Sequence, residues 1–165
     1  MIEVRLTKHE EAPVLAEIQR RAFEPLYERY HDEGNPCLRG EEDVLKRLNS
    51  PVYRYFTILD DDAIVGGVLY RCAGQTPTGE ELGSGRIYLQ RVYVEPALQG
   101  KGIAQKAILL CEAKMPEWKR CSVDFPEDLE KNRRCYERAG FEDTGIRVEV
   151  QPGLTLAYFE KQKDR

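Results

Sequence analysis

The sequence predicts an α/β domain of the layered, α+β kind: a mixed central sheet flanked by helices. Three observations carry this. Period-two and helical hydrophobic patterns alternate along the chain in the order β-α-α-β-β-β-α-β-α-β-β. The stretch Arg86-Ile87-Tyr88-Leu89-Gln90-Arg91-Val92-Tyr93-Val94, rich in β-branched and aromatic residues, leads through a glycine-x-glycine turn straight into an apolar-striped helix. A chain of 165 residues, 41% hydrophobic and 33% charged, is also the size of one domain with a sound core, so residues 1–165 are read as a single domain.

Ile2, Val4 and Leu6 alternate as an opening strand. Thr7 with Glu10 three residues later reads as a capping box, and Pro13 suits a first helical turn. Leu15, Ile18, Ala22, Phe23 and Leu26 then trace one helical face, and Pro25 is expected to end or bend that helix near Phe23. Tyr27 to Arg39 is polar and interrupted by Gly34 and Pro36, an irregular connection. A short helix starts at Glu41-Glu42-Asp43, buries Val44, Leu45 and Leu48, and stops at Asn49 and Pro51. Tyr53 to Leu59 and Ala63 to Cys72 are strands joined by the solvated turn Asp60-Asp61-Asp62, and Gly66-Gly67 predicts a bulge or a close backbone approach. Gln75 to Gly85 reads as a loop long enough to be mobile.

After the strand-turn-helix stretch, which Met115-Pro116 ends, Arg120 to Phe125 is a strand expected beside Arg86 to Val94. Residues 129–139 form a helix closed by Gly140 at its C′ position. Phe141 to Val150 and Leu154 to Lys161 make a terminal hairpin around Pro152-Gly153.

Charge and cysteine usage narrow the function classes. A net charge of −4 leaves no basic footprint for nucleic acid. Five cysteines (Cys37, Cys72, Cys111, Cys121, Cys135) form no CxxC pair, and His9 and His31 lie far apart, so reduced thiols and no metal are expected. The opening residues alternate like a strand and offer no apolar run long enough to enter a membrane. The expected location is cytoplasmic, with no membrane partner.

The junction Gln99-Gly100-Lys101-Gly102-Ile103-Ala104 carries the chemistry. A helix start has unpaired N–H groups and the positive end of the macrodipole, so a strand turning through two glycines into a helix suits a phosphate. From these residues alone, a tight structural connection fits as well. No Gly-Lys-Ser/Thr follows, which excludes a phosphate-loop nucleoside triphosphatase.

The string matches Gln/Arg-x-x-Gly-x-Gly/Ala and resembles the acyl-CoA pyrophosphate loop of the GNAT superfamily of N-acetyltransferases. Val92-Tyr93-Val94-Glu95-Pro96 before it and Tyr136-Glu137-Arg138-Ala139-Gly140-Phe141 after it are also similar to that family, in the family's order, and the element order agrees over roughly the whole chain. The resemblance implies a GNAT-like acyl-CoA N-acyltransferase fold, acetyl-CoA as co-substrate and no metal. The implied reaction passes an acetyl group to a primary amine of a small molecule or peptide by direct attack on the thioester. The alternative is a non-catalytic, acyl-CoA-binding regulatory module of the same fold. A homodimer is common among proteins of this resemblance.

The resemblance also implies roles for particular residues. Gln99, Gly100, Lys101, Gly102, Ile103 and Ala104 would hold the diphosphate. The strand before them would splay from its neighbour, so that the backbone of Val92 and Val94 pairs with the pantetheine amides. Tyr136 would sit near the sulfur and give it a proton, a role suited to a phenol that stays protonated at neutral pH. The family's asparagine seven residues before this tyrosine is missing, because position 129 is Leu. Asn132, four residues before Tyr136 and on the same helical face, is the shifted candidate for CoA contact, and Asp128 could instead cap the helix.

The first helices and their connection would form a wall of the acceptor pocket, which makes Tyr27, Tyr30, Glu33 and Glu41 candidates there. Tyr88 and Gln90 stand where some members carry a base, and neither is a base at neutral pH. That leaves a carboxylate acting through water, such as Glu95, or an amine that arrives deprotonated. Strict alternation puts Tyr88, Gln90, Val92 and Val94 on one strand face and Ile87, Leu89, Arg91 and Tyr93 on the other.

Overall fold

Alternating apolar residues pair the strands into one seven-stranded sheet, ordered β1-β2-β3-β6-β7-β9-β8. The structure is a computed structural model and describes residues 1–163. The chain runs β1 (Ile2–Leu6), α1 (Ala12–Tyr30), α2 (Glu41–Leu48), β2 (Tyr53–Asp60) and β3 (Ala63–Arg71), then the short β4 (Gly74–Gln75) and β5 (Glu81–Leu82). It continues through β6 (Arg86–Val94), α3 (Ile103–Ala113), β7 (Arg120–Pro126), α4 (Glu130–Arg138), β8 (Glu142–Gln151) and β9 (Leu154–Gln162). Among the described residues only β6 and β7 pair in parallel; every other neighbouring pair in the large sheet is antiparallel. The sheet is therefore mixed, as expected.

Helices cover both faces. On one, Ile103, Ala107, Ile108 and Cys111 of α3, Tyr136 of α4 and Ala139 at its C-cap pack on Phe56, Val68, Tyr70, Leu89, Val123 and Phe159. On the other, Ala12, Leu15 and Ile18 of α1 and Val44 of α2 pack on Tyr55, Leu69 and Tyr93. Gly66 and Gly67 meet the expectation of a close approach: a Cβ on Gly66 would lie 2.1 Å from the Tyr93 carbonyl oxygen, and one on Gly67 2.6 Å from the Tyr93 hydroxyl.

Four local expectations are corrected. First, of the end or bend expected near Phe23, the end does not occur. α1 runs through Pro25 to Tyr30 and closes at His31 in the left-handed region, whose N–H donates to the Tyr27 carbonyl over 2.7 Å. An interior proline costs a helix about 3 kcal/mol. Tertiary contacts to the last turns offset that cost. Phe23 meets Tyr93 edge-on at 6.1 Å, the Tyr30 hydroxyl donates to Asp128 over 2.6 Å, and Gln151 Nε2 donates to the Tyr30 carbonyl over 2.6 Å. Tyr27 and Tyr30 are thus helical, not part of an irregular connection.

Second, Asp128 does not cap α4. The cap residue is Leu129, without a side-chain bond, because the Asp128 carboxylate is drawn across to Arg29 and Tyr30 of α1. Third, Gln75 to Gly85 folds on itself. Gln75 pairs with Glu81, and Thr76 accepts from the Glu80 N–H at its hydroxyl and donates its own N–H to the Glu80 carbonyl.

Fourth, the capping box is displaced. Thr7 bonds Thr57 side chain to side chain at 2.9 Å, and it is the Lys8 N–H that donates to the Glu11 carboxylate, over 2.9 Å. Glu11 also accepts from both Arg5 guanidinium nitrogens at 2.8 and 2.6 Å and from the Thr57 hydroxyl at 3.0 Å. It ties β1, β2 and the entry to α1 into one knot.

The Arg5 bonds, opposed by burial and aided by Lys8 and Thr57, hold the Glu11 pKa down to about 2, against an ordinary 4.5. A carboxyl with a depressed folded-state pKa stabilises the fold above its unfolded value and loses that contribution as pH falls toward the folded one. Glu11→Gln is therefore expected to cost about 2 kcal/mol at pH 7, with the difference from the unsubstituted protein closing between pH 4.5 and pH 2. Urea unfolding across that pH range measures it.

Candidate active site

The site begins where two neighbouring strands part. β6 and β7 share only three register pairs, Arg86 with Arg120, Ile87 with Cys121 and Tyr88 with Ser122. Beyond Tyr88, β6 keeps its pairing with β3 as far as Gly66 opposite Val94, while β7 keeps its pairing with β9 as far as Pro126 opposite Leu156. A wedge opens between them. Its cause is local: the β3–β6 register slips between Leu69 and Tyr70, so that β6 carries one extra residue, Gln90, between Leu89 and Arg91. A bulge of this kind bends and twists its strand.

The bulge also changes which side chains share a face. Ile87 and Leu89, and past the bulge Val92 and Val94, pack with the α3 core. Arg91 turns to the opposite side, where its guanidinium donates to Gln19 over 3.1 Å and to Asp43 over 2.9 Å, and Tyr93 follows it. The strict alternation that grouped Tyr88 and Gln90 with Val92 and Val94 is thus corrected by one inserted residue.

Backbone groups line the wedge. The Glu95 N–H donates to Val65 over 2.8 Å and the Tyr93 carbonyl lies against Gly66, so this register turns the backbone of Val92 and Val94 to the open side. The Val94 carbonyl already accepts from Gln99 Nε2 at 3.0 Å. Val92, with both backbone groups, and the Val94 N–H are placed to meet an added strand. The Gln99 side chain sits beneath the turn instead of projecting from it.

At the head of the wedge lies the glycine turn. Gly100 and Gly102 hold φ of 81° and 78°, and a Cβ on either would meet nothing within 4 Å, so their requirement is conformational and not spatial. The first bond into α3 runs from the Lys106 N–H to the Gly102 carbonyl at 3.1 Å. The N–H groups of Ile103, Ala104 and Gln105 therefore precede any intrahelical acceptor and point outward at the positive end of the helix. Lys101 is exposed at the rim.

A cleft of about 530 Å³, lined by Arg71, Gln75, Thr76, Pro77, Tyr88 and Gln90, opens on the face away from α3. At its base the Tyr88 hydroxyl donates to the carboxylate of Asp124 on β7. Asp124 alternates with Val123 and Phe125, which point into the α3/α4 core, so its carboxylate faces the cleft side of the wedge. Burial pushes its pKa above the ordinary carboxylate value, and the Tyr88 bond opposes that only in part. Asp124 is the functional candidate that sequence reasoning missed. Its signal was a lone carboxylate inside the apolar strand Cys121-Ser122-Val123-Asp124-Phe125.

Tyr136 stands on the other side of the gap. It is 7% exposed, with its ring 5.2 Å from Phe125 and 5.9 Å from Phe141, and burial raises its phenol pKa far above the ordinary value. Asp124 is bonded to Tyr88 and lies opposite Tyr158 in the β7–β9 register. Asn132 is half-buried on α4, one turn before Tyr136.

The acceptor-wall candidates are dispersed. No residue lining the cleft comes from α1 or α2. Tyr30 is bonded to Asp128, Tyr27 stacks edge-on with His31 at 5.5 Å, and Glu33 and Glu41 are exposed. Glu95, the carboxylate offered for action through water, is paired with Arg21, whose Nε and Nη2 donate to it over 2.9 and 2.7 Å. Among the described residues no group of three or more His, Cys, Asp or Glu could hold a metal ion, and no helix is long and apolar enough to cross a membrane.

Comparison with known proteins bears on this geometry. The family model described as acetyltransferase (GNAT) family matches residues 13–141. The Escherichia coli (strain K12) protein named uncharacterized N-acetyltransferase YjgM is 31% identical over 104 residues, which is 61% of this chain and 58% of that protein. The chain thus matches little more than half the length of that relative. Among solved structures, the PaiA N-acetyltransferase from Thermoplasma acidophilum in complex with coenzyme A superposes with a TM-score of 0.73 at 17% identity, over 98% of this chain and 99% of that one. The structure of AAC(6')-Ib with ribostamycin and coenzyme A gives a TM-score of 0.75 at 20% identity, over 98% and 93%. At such identities the likeness shows the fold.

Proposed function

The chain belongs to the acetyltransferase (GNAT) family, and from that membership we propose that it is an acetyl-CoA-dependent N-acetyltransferase with Asp124 as its base and Tyr136 as its acid. The observation that carries the reading is the wedge between β6 and β7, with a half-buried carboxylate on its cleft side and a buried phenol on the other. The free edge at Val92 and the outward N–H groups at the start of α3 fit the donor's amide-bearing arm and diphosphate.

Acetyl-CoA supplies the thioester whose carbonyl carbon the amine attacks. The N–H groups of Ile103, Ala104 and Gln105 hold the diphosphate at the helix start, with Lys101 beside them. Val92 pairs with the pantetheine arm, and the Val94 N–H adds a donor, its carbonyl being taken by Gln99. This lays the thioester where the strands part, at the level of Tyr88. An ammonium group entering from the cleft gives one proton to Asp124, and the resulting amine forms the new C–N bond as the C–S bond breaks. Tyr136 hands its proton to the departing sulfur and regains one from the acetylated nitrogen. Asp124 releases its own to solvent.

The raised pKa of Asp124 suits this exchange, because a carboxylate in water is too weak a base to deprotonate an ammonium. Burial keeps the proton on Tyr136 until the thiolate forms. The acceptor is an amine of a small molecule or peptide; the neighbour solved with ribostamycin illustrates the first class. All five cysteines are free, which fits the reducing cytoplasm as the place of action.

Saturating acetyl-CoA is expected to raise the melting temperature, since it binds the folded state; no shift would remove the donor assignment. Thiol release should then be seen with some member of a panel of amines and peptides. A shift without release from any of them would favour the non-catalytic module.

Asp124→Asn is expected to lower kcat about 10²- to 10⁴-fold while leaving the acetyl-CoA-induced melting shift intact. The pH profile of kcat/KM should rise through the displaced pKa of Asp124 and lose that limb in the variant. Wild-type turnover from Asp124→Asn would place the base elsewhere.

Tyr136→Phe should lower kcat about 100-fold and change acetyl-CoA affinity much less. Equal losses in both would leave Tyr136 a packing residue.

A further inference from the structure

Of the described residues that line the cleft, Arg71 alone carries a formal charge. The strand register puts it beside the reacting groups. Arg71 on β3 stands directly opposite Tyr88 on β6, so their side chains share the cleft face, and Tyr88 donates to Asp124 at the cleft base. On its other side Arg71 faces Tyr53 of β2, whose ring the guanidinium overlies at 5.9 Å.

This guanidinium is held in place but not neutralised. Its Nε donates to the Ala73 carbonyl over 3.2 Å. Gly74, at φ 88°, lets the turn pass so close that a Cβ there would lie 2.8 Å from Nη2. Among the described residues Arg71 has no carboxylate partner. Glu80, in the turn of the β4–β5 hairpin, is paired with Arg86, and the buried Arg91 has Asp43. In a chain of net charge −4, the terminal N–H groups of Arg71 are left to a ligand.

We propose that the acceptor is an amino acid, an amine that also bears a carboxylate, with its carboxylate on Arg71 and its ammonium toward Asp124. The inference rests on the acetyltransferase reading and names the acceptor's second group. A cation on the cleft wall and a carboxylate at its base match the two charges of a zwitterion. One guanidinium balances the single charge of a carboxylate, whereas a phosphate monoester, at about −1.5 to −2, would leave charge uncompensated. A polyamine would bring positive charge that Arg71 repels. Transfer turns the ammonium and the thioester into an N-acetyl amino acid, the CoA thiol and one proton. The acceptor's carboxylate makes and breaks no bond, so Arg71 sets specificity and is not catalytic.

Thiol release from acetyl-CoA tests this with amino acids, the amines left when their carboxylates are removed, aminoalkyl phosphates and polyamines. The best amino acid should show a kcat/KM at least about tenfold above that of its decarboxylated partner. Arg71→Ala should abolish that advantage, chiefly through KM, and leave the decarboxylated amine within about twofold of its original value. Arg71→Lys should keep part of the preference, and Arg71→Glu should turn it toward diamines. Thermal unfolding with and without acetyl-CoA checks that each variant folds and binds the donor. If Arg71→Ala does not fold, the unsubstituted protein's preference and Arg71→Lys decide.

Release that favours decarboxylated amines, aminoalkyl phosphates or polyamines would overturn the proposal and leave the acetyltransferase reading standing. So would a carboxylate preference that survives Arg71→Ala undiminished. No release from any acceptor would remove both.

Discussion

The parting of β6 from β7 is the constraint on which the rest of this structure depends. Backbone N–H and C=O groups must be paired or solvated. Each of these strands satisfies one edge, β6 against β3 and β7 against β9, and leaves the other bare beyond Tyr88 and Ser122. The bare edges create a slot into which an extended, amide-bearing ligand can add as a strand would. The junction into α3 lies at the head of the same slot. Asp124 and Tyr136 lie on opposite faces of the sheet beside this opening.

A bulge needs support, since it leaves a residue unpaired. Beneath Gln90 that support is a polar network inside the α1/α2 core. Arg91, 7% exposed, is held by Asp43 and Gln19, and Asp43 is shared with Arg47 at 3.1 Å. Burial works against the Asp43 carboxylate, but the bonds from Arg91 and Arg47 prevail and hold its pKa below the ordinary range. Beside it the Tyr55 and Tyr93 hydroxyls bond each other at 2.8 Å. These contacts join α1, α2, β2 and β6, so the strand that shapes the slot is clamped on its α1/α2 side.

Much of the fold was legible because its signals are local. The period-two strands, the stripe on α3 and the Gly140 stop of α4 each follow from a few neighbouring residues. The pairs that were misread depend on distant partners. Thr7 and Glu10 make a sound capping box on paper, yet Thr7 bonds Thr57 and the knot forms at Glu11. Pro25 is a helix breaker by its own chemistry, yet contacts from Tyr93, Asp128 and Gln151 carry the helix past it. Asp128 could cap α4, yet Arg29 and Tyr30 reach it from the far side of the chain.

By itself the sequence determined the element order, the mixed layered sheet and the glycine turn that starts α3, because hydrophobic period and positive φ are properties of short stretches. The tertiary structure alone decided the slot and its chemistry. One inserted residue at Gln90 reversed the strand's alternation, which no count along β6 could reveal without its partner β3. Asp124 became a candidate base only when folding half-buried it, set the Tyr88 hydroxyl on it and brought Tyr136 to the opposite side. A pKa shift of that kind comes from desolvation and neighbouring groups, and neither is written in the order of residues.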